Sequence, residues 1–306
     1  MAERYRCAPA SLARDEPMPG TASRVRSWVL VEQPGPWGRT ALRESRLDPE
    51  VGEALEALGR RHRARVLLVR RPGRVASPHP RVYLAHTART AGWLEELDLP
   101  SAADLLDLDW SRITAPEPPG YGRACAAPVH LVCTNGRHDA CCADMGRPVV
   151  RALVAAGVRS VWESSHVGGD RFAANLVSLP SGVYLGRVDP VTAPAVVADL
   201  ERGLLPLPNF RGRSCDPPLV QVADACARRE TGVVEIDGLP LAGVEAVGDD
   251  AVRVTFLAPG GRPVRVLVAR QRADAATVLT CTATAATHTW SYRVDDLAYD
   301  RSAGAT

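Results

Sequence analysis

The chain has 306 residues, with 37 basic and 35 acidic side chains and a formal net charge of +2. At 46% apolar and 24% charged it has the composition of a globular protein, long enough for two domains or for one with an appendage. It contains no lysine, which excludes Schiff-base and pyridoxal phosphate chemistry, P-loop and kinase phosphate binding, and Ser-x-x-Lys acylation.

Residues 1–24 read as a loose polar lead-in. A first α/β block follows over 25–112. In it Trp28–Glu32 forms a strand, and Pro49–Arg61 a helix with Val51, Ala54, Leu55 and Leu58 on one face. Strands come next at Val66–Val69, Val82–His86 and Trp93–Leu97, then a short helix capped by Ser101. The Pro/Gly-rich stretch 113–128 is the clearest boundary.

The second block, 125–204, is expected to run β-α-β-β-β-α. Its elements are strand His130–Cys133, helix Cys142–Ala156, strand Val158–Glu163, a hairpin of Leu176–Leu179 with Val183–Val188, and helix Ala193–Arg202. That is the minimal thioredoxin-like arrangement, a right-handed crossover followed by a hairpin and a closing helix. The first block has nearly the same order, which suggests a degenerate duplication. A second Pro-rich linker at Leu205–Asn209 precedes a small appendage over 213–301. The appendage comprises a helix near Leu219–Arg229 and period-2 runs at Val233–Ile236, Val252–Phe256, Val264–Val268, Val278–Thr284 and Thr289–Val294. Ser302–Thr306 reads as a frayed tail.

The start of the chain lacks the apolar core of a signal peptide, and no stretch approaches the roughly 20 apolar residues of a membrane span. A cytoplasmic, reducing setting is expected, with neither membrane nor nucleic acid as partner, because the charge is balanced. In such a setting eight cysteines point to metal ligands, redox thiols or small buried residues, rather than to a disulfide framework.

Four of the eight crowd into residues 125–142: Cys125, Cys133, Cys141 and Cys142. Cys133 ends a strand and Cys141/Cys142 start the next helix, where unpaired N–H groups and the helix dipole favour thiolate. Thiolate is the ligand of soft and borderline metals. Consecutive parallel strands end on the same sheet edge, so His166 in Ser-Ser-His-Val-Gly-Gly-Asp-Arg-Phe should emerge beside the cysteines. Gly168 and Gly169 after it allow positive φ and close approach to a bulky group.

The segments Cys-Thr-Asn-Gly-Arg-His-Asp-Ala-Cys-Cys-Ala and Ser-His-Val-Gly-Gly-Asp-Arg-Phe-Ala-Ala-Asn resemble the sucrase/ferredoxin-like family, related to thioredoxin-like [2Fe-2S] ferredoxins. Residues 28–38 and 179–188 add to the likeness, as does the fainter Leu279–Cys281. The resemblance implies one-electron transfer through a [2Fe-2S] cluster held by two cysteines in C-x8-C and two histidines in H-x3-H. Cys133, Cys142 and His166 match. The fourth position is Asp170, so either this carboxylate or an outside thiol, Cys281 or Cys141, would complete the set, or the cluster would be labile or absent. Imidazole ligation would raise the potential. Arg137 and Arg171, flanking the motifs, would stabilise the reduced cluster or steer an acidic redox partner protein.

Two other chemistries use the same residues, a dithiol/disulfide couple and a zinc site. Sucrose hydrolysis finds less support. Glu163, Asp139, Asp144 and Asp170 lie near the motifs, but nothing pairs two of them as glycoside hydrolysis requires. Cys7, Cys215 and Cys226 read as having no role, as do His62, His79, His86 and His288.

Overall fold

The computed structural model describes residues 5–74 and 80–299; His79 and the tail Ser302–Thr306 lie outside them. The first elements are α1 (Cys7–Ala13), β1 (Ser27–Glu32), α2 (Ala41–Glu44), α3 (Pro49–His62), β2 (Ala64–Arg70), β3 (Arg81–His86), β4 (Trp93–Asp98), α4 (Trp110–Ile113) and β5 (Arg123–Ala124). Then come β6 (Val129–Cys133), α5 (Ala140–Ala155), β7 (Val161–Ser164), β8 (Leu176–Leu179), β9 (Val183–Leu185), α6 (Ala193–Glu201) and β10 (Phe210–Arg213). The chain continues with α7 (Pro218–Thr231), β11 (Leu241–Ala246), β12 (Ala251–Ala258), β13 (Arg262–Arg272) and β14 (Trp290–Tyr299). The fold is mixed α/β. One ten-stranded sheet has the order β10-β9-β8-β6-β7-β2-β1-β3-β4-β5, and β11–β14 form a separate antiparallel sheet.

The large sheet has two halves wired alike. β1 runs parallel to β2 and antiparallel to β3, which pairs β4. In the same way β6 runs parallel to β7 and antiparallel to β8, which pairs β9. The halves join where β2 and β7 meet antiparallel, Val69 opposite Ser164 and Arg70 opposite Glu163. The buried Arg70–Glu163 pair (2.6 Å) fastens that seam, and Arg70 also lies 4.3 Å over the Trp37 ring. A buried pair of this kind is costly to break, because it strands an unpaired charge.

Alternation along β6 sorts its side chains between two cores. Val132 packs with residues of α5 and α6, including Val149, Leu153, Val196 and Val197. Val129, Leu131 and Cys133 face the inner side of the sheet, where Trp28, Leu30 and Val69 of the first half meet Trp162, Val177 and Tyr184 of the second. A third core lies under α3. That helix starts where Asp48 accepts from the Glu50 and Val51 amides with Pro49 at its first position, and it stops at Arg63 in the left-handed region.

Several expectations are corrected. Within the described part of the lead-in, Cys7–Ala13 is helical rather than loose, and Cys7 is 0% exposed. The segment after Ser101 is a 3-10 helix, Ala102–Asp107, closed by a Ser101/Asp104 capping box. The proline-rich stretch near 205–209 does not end the sheet, since β10 follows it and pairs with β9. Val233–Ile236 is not a strand. Its carbonyls turn inward to accept from the Arg228 guanidinium, at 3.3 Å for Val233, 2.7 Å for Glu235 and 2.8 Å for Ile236. Val278–Thr284 is not a strand either. It belongs to an excursion between β13 and β14 that is bridged at Thr277–Thr287 and carries Cys281 inward at its tip. The other period-2 runs hold: β13 alternates buried Val264, Val266 and Val268 with exposed Pro263 and Arg265, and packs on α7.

His130 on β6 is fully buried, and neither ring nitrogen has a hydrogen-bond partner. Burial pushes its pKa down to about 4, against a weaker opposing pull from Glu201, 3.8 Å away. The unfolded chain therefore binds a proton that the native state refuses between pH 6.5 and 4. The stability His130 contributes is present above pH 6.5 and lost as pH falls through that window, by about 3 kcal/mol. Urea unfolding at pH 7 and pH 4 checks this. His130→Leu is expected to flatten the difference, and an unchanged pH dependence in the variant would refute the assignment.

Candidate metal centre

Cys133 is the last residue of β6, and α5 begins a short loop later. The helix lies tight against the strand end because Gly146 faces it, where a Cβ would stand 2.1 Å from the Cys133 carbonyl oxygen. Asp139 caps α5, its Oδ1 accepting from the Cys141 amide at 2.9 Å. The cap places Cys141 and Cys142 side by side in the first turn, directed to different clusters. Parallel pairing sets Cys133 opposite Ser164, so His166, just beyond β7, arrives at the same sheet edge.

The loop after His166 depends on Gly168 (φ 99°) and Gly169 (φ 83°). A Cβ on Gly169 would stand 2.3 Å from the Arg211 guanidinium. Arg211 is itself buried, and donates to the Gly168 carbonyl (3.1 Å), Asn175 Oδ1 (2.7 Å) and Thr21 Oγ1 (3.0 Å). Burial among these neutral acceptors brings its pKa down to about 10. The two glycines and this guanidinium together fix where His166 stands.

The sulfurs of Cys133 and Cys142 and a ring nitrogen of His166 lie within 4.8 Å of one another. Both cysteines are buried, whereas the His166 side chain is 22% exposed. Asp170 closes the far side, its Oδ1 at 3.0 Å from Cys142 Sγ and 2.9 Å from His166 Nδ1. His138 stacks on His166 with ring centroids 3.7 Å apart, and its Nε2 is 4.0 Å from Asp170 Oδ2. His138, His166 and Asp170 form a second triad of donors sharing His166 with the thiols.

The electrostatics follow from this packing. The hydrogen bond from Cys142 holds the Cys133 thiol well below its ordinary range, and that bond together with burial drives Cys142 up. Burial works against the His166 imidazolium, but Asp170 and Cys133 outweigh it and raise its pKa to about 9. For Asp170, burial raises the carboxyl, and the contacts to His166 and Cys142 more than reverse it. In that state the Cys133 thiolate is already in its ligating form, and the His166 imidazolium has one proton to release to solvent when a cation takes its nitrogen.

The remaining candidates are distributed around this centre. Cys281 does not join Cys133 and Cys142; it stands with Cys7, Cys141 and Asp139 on the other side of the start of α5. Arg171 binds Glu16 at 2.7 Å and lies over the Phe172 ring. Arg137 is exposed on the loop before α5. His138 went unnoticed in the sequence, although it sits between the two cysteines of C-x8-C. Cys7 was also missed, because nothing local ties residue 7 to residue 141. The exposed edge of the two imidazoles opens into a cleft of about 530 Å³ whose rim carries Arg39, Arg60 and Arg65.

No described helix is long and apolar enough to cross a membrane, and the eight cysteines are free thiols. No curated protein and no solved structure matches the chain. Comparison with protein families matches residues 18–212 to Sucrase/ferredoxin-like, a span that holds the cysteine pair, both imidazoles, Asp170 and Arg211. That stretch covers most of the chain and nearly the whole ten-stranded sheet, and the chain belongs to the sucrase/ferredoxin-like family.

Proposed function

We propose that the protein is a one-electron carrier whose [2Fe-2S] cluster is held by Cys133, Cys142, His166 and His138, on a thioredoxin-like ferredoxin core formed by the second half of the sheet. The observation that carries this reading is the side-by-side arrangement of two buried thiols and two stacked imidazoles at one sheet edge. Asn135 Nδ2 is buried there without a hydrogen-bond partner, as suits a donor set built around a further group. Imidazole is a softer partner for iron than carboxylate, which favours His138 over Asp170 as the fourth ligand.

When bound, such a cluster takes up and releases one electron, at a potential raised by neutral imidazole ligands. The chain's own residues do the rest. Asp170 orients His166 through its Nδ1 and holds the proton there. The buried sulfurs keep water from one side of the centre, while the partly exposed imidazoles bring its other side within reach of a partner. The arginine rim and Arg137 suit an acidic redox protein in a reducing cytoplasm.

The test is a visible spectrum of protein purified without oxygen, with iron, sulfide and zinc assayed on the same sample. Charge-transfer bands that bleach with dithionite, with about two irons per chain, are expected for a [2Fe-2S] centre. A colourless protein with zinc bound to Cys133 and Cys142 would replace this reading with a zinc site. A metal-free protein that remains colourless after iron–sulfur reconstitution would leave thiol–disulfide exchange.

A further inference from the structure

A second cluster of donors lies on the opposite side of the start of α5. Cys141 Sγ is 3.4 Å from Cys281 Sγ, and Cys281 Sγ is 3.6 Å from Cys7 Sγ. Cys7 Sγ is in turn 3.6 Å from Asp139 Oδ1 and 3.7 Å from Oδ2. All four donor atoms lie within 4.8 Å of one another. Four ligands around a tetrahedral ion at about 2.3 Å from each sulfur would be spaced about 3.8 Å apart. The observed separations are close to that spacing and well beyond the roughly 2.05 Å of a disulfide.

The surroundings also suit a closed, structural ion. Cys7, Cys141 and Asp139 are buried, so these donors leave little room for water. Backbone amides face the sulfurs, Cys7 N–H toward Cys281 and Ala8 N–H toward Cys141, each at 3.5 Å, where they temper the excess negative charge of three thiolates. The Asp139 carboxylate is held from both sides by the amides of Cys141 (2.9 Å) and Cys281 (2.6 Å). A lone thiol pair would need none of this. Three thiols and an oriented carboxylate brought together from residues 7, 139–141 and 281 form a donor set for a thiophilic divalent cation.

We infer that Cys7, Cys141, Cys281 and Asp139 bind one zinc ion, separate from the centre at Cys133 and Cys142. Cys7 and Cys281 lie outside the span 18–212 that matches the family, so the site joins this chain's own N-terminal helix and C-terminal excursion to the family core. The ion pins both segments to the first turn of α5, the turn that also presents Cys142. Binding displaces the thiol protons to solvent and changes no oxidation state.

Full-length protein is prepared without chelators under reductant, supplied with zinc sulfate, and assayed for zinc and iron. About one zinc per chain is expected, lost in Cys7→Ser and in Cys281→Ser while iron is retained, and kept in Cys133→Ser while iron is lost. Because each variant could also disturb folding, the wild-type thiols are footprinted with iodoacetamide. Chelation is expected to speed labelling of Cys7, Cys141 and Cys281 at least about tenfold, with Cys125 and Cys226 as unchanged references. Zinc content that depends on Cys133 but not on Cys7 or Cys281 would overturn the inference. So would labelling of the three thiols that is indifferent to zinc, or a Cys141–Cys281 disulfide persisting under reductant with zinc present. Failure of the electron-carrier reading appears instead as missing iron with the zinc pattern intact.

Discussion

Cys133→Ser is expected to abolish iron binding, with visible absorption and protein-bound iron both at background, while the fold persists by circular dichroism. The buried sulfur is one of only two thiols at the proposed cluster, and a serine hydroxyl is a poor ligand for iron–sulfur because it is hard and rarely ionised. Cys142→Ser should do the same. Cys281→Ser should leave the iron in place, because that sulfur lies with Cys7 and Cys141 instead. The two candidates for the fourth ligand separate cleanly. His138→Ala removes a ligand and should release iron, whereas Asp170→Ala removes the group that orients His166 and should weaken the site about 10–100-fold. If Asp170→Ala loses all iron and His138→Ala loses none, the carboxylate is the ligand and the assignment of His138 fails.

The second large effect concerns stability. Asp224 on α7 is fully buried and pairs with the equally buried Arg228 at 2.8 Å. It also holds Arg89 at 3.3 Å, which bonds Asp216 as well. Arg228 in turn satisfies three carbonyls of the segment 233–236. Asp224→Ala strands a guanidinium with no route to water, and the expected cost is about 3–5 kcal/mol. Thermal unfolding should show a midpoint lower by about 10 °C. A loss below about 1 kcal/mol would mean that Arg228 finds another partner or that water reaches it. Because α7 packs against both β10 and the four-stranded sheet, early loosening of the C-terminal sheet is the expected first sign.

Residues near one another in the chain carried most of what the sequence revealed. Hydrophobic pattern marked α3, α5 and β13, which each bury one face so that the side-chain repeat records which one, and β1, β6 and β8, which are buried on both faces and read as continuous apolar runs. Local rules also placed the main thiol–imidazole centre. Parallel strands joined by a right-handed crossover end on one edge, and this brings Cys133, Cys142 and His166 together without any long-range information.

Contacts set by the three-dimensional packing were beyond such rules. Pairing of β2 with β7 makes one sheet of two similarly wired halves, and only the Arg70–Glu163 seam and the shared inner core decide that. Val233–Ile236 and Val278–Thr284 carry strand-forming residues but have no partner strand, one drawn to Arg228 and the other folded onto Asp139. His138 is recognised only by its stacking on His166. The cluster of Cys7, Cys141 and Cys281 joins residues more than a hundred positions apart, and no periodicity encodes that distance. Amino-acid order therefore determined the elements and the first donor set. The tertiary structure alone showed the stacking of His138 on His166, where the loop before α5 meets the loop after β7, and the second cluster, where segments from opposite ends of the chain pack against the same helix start.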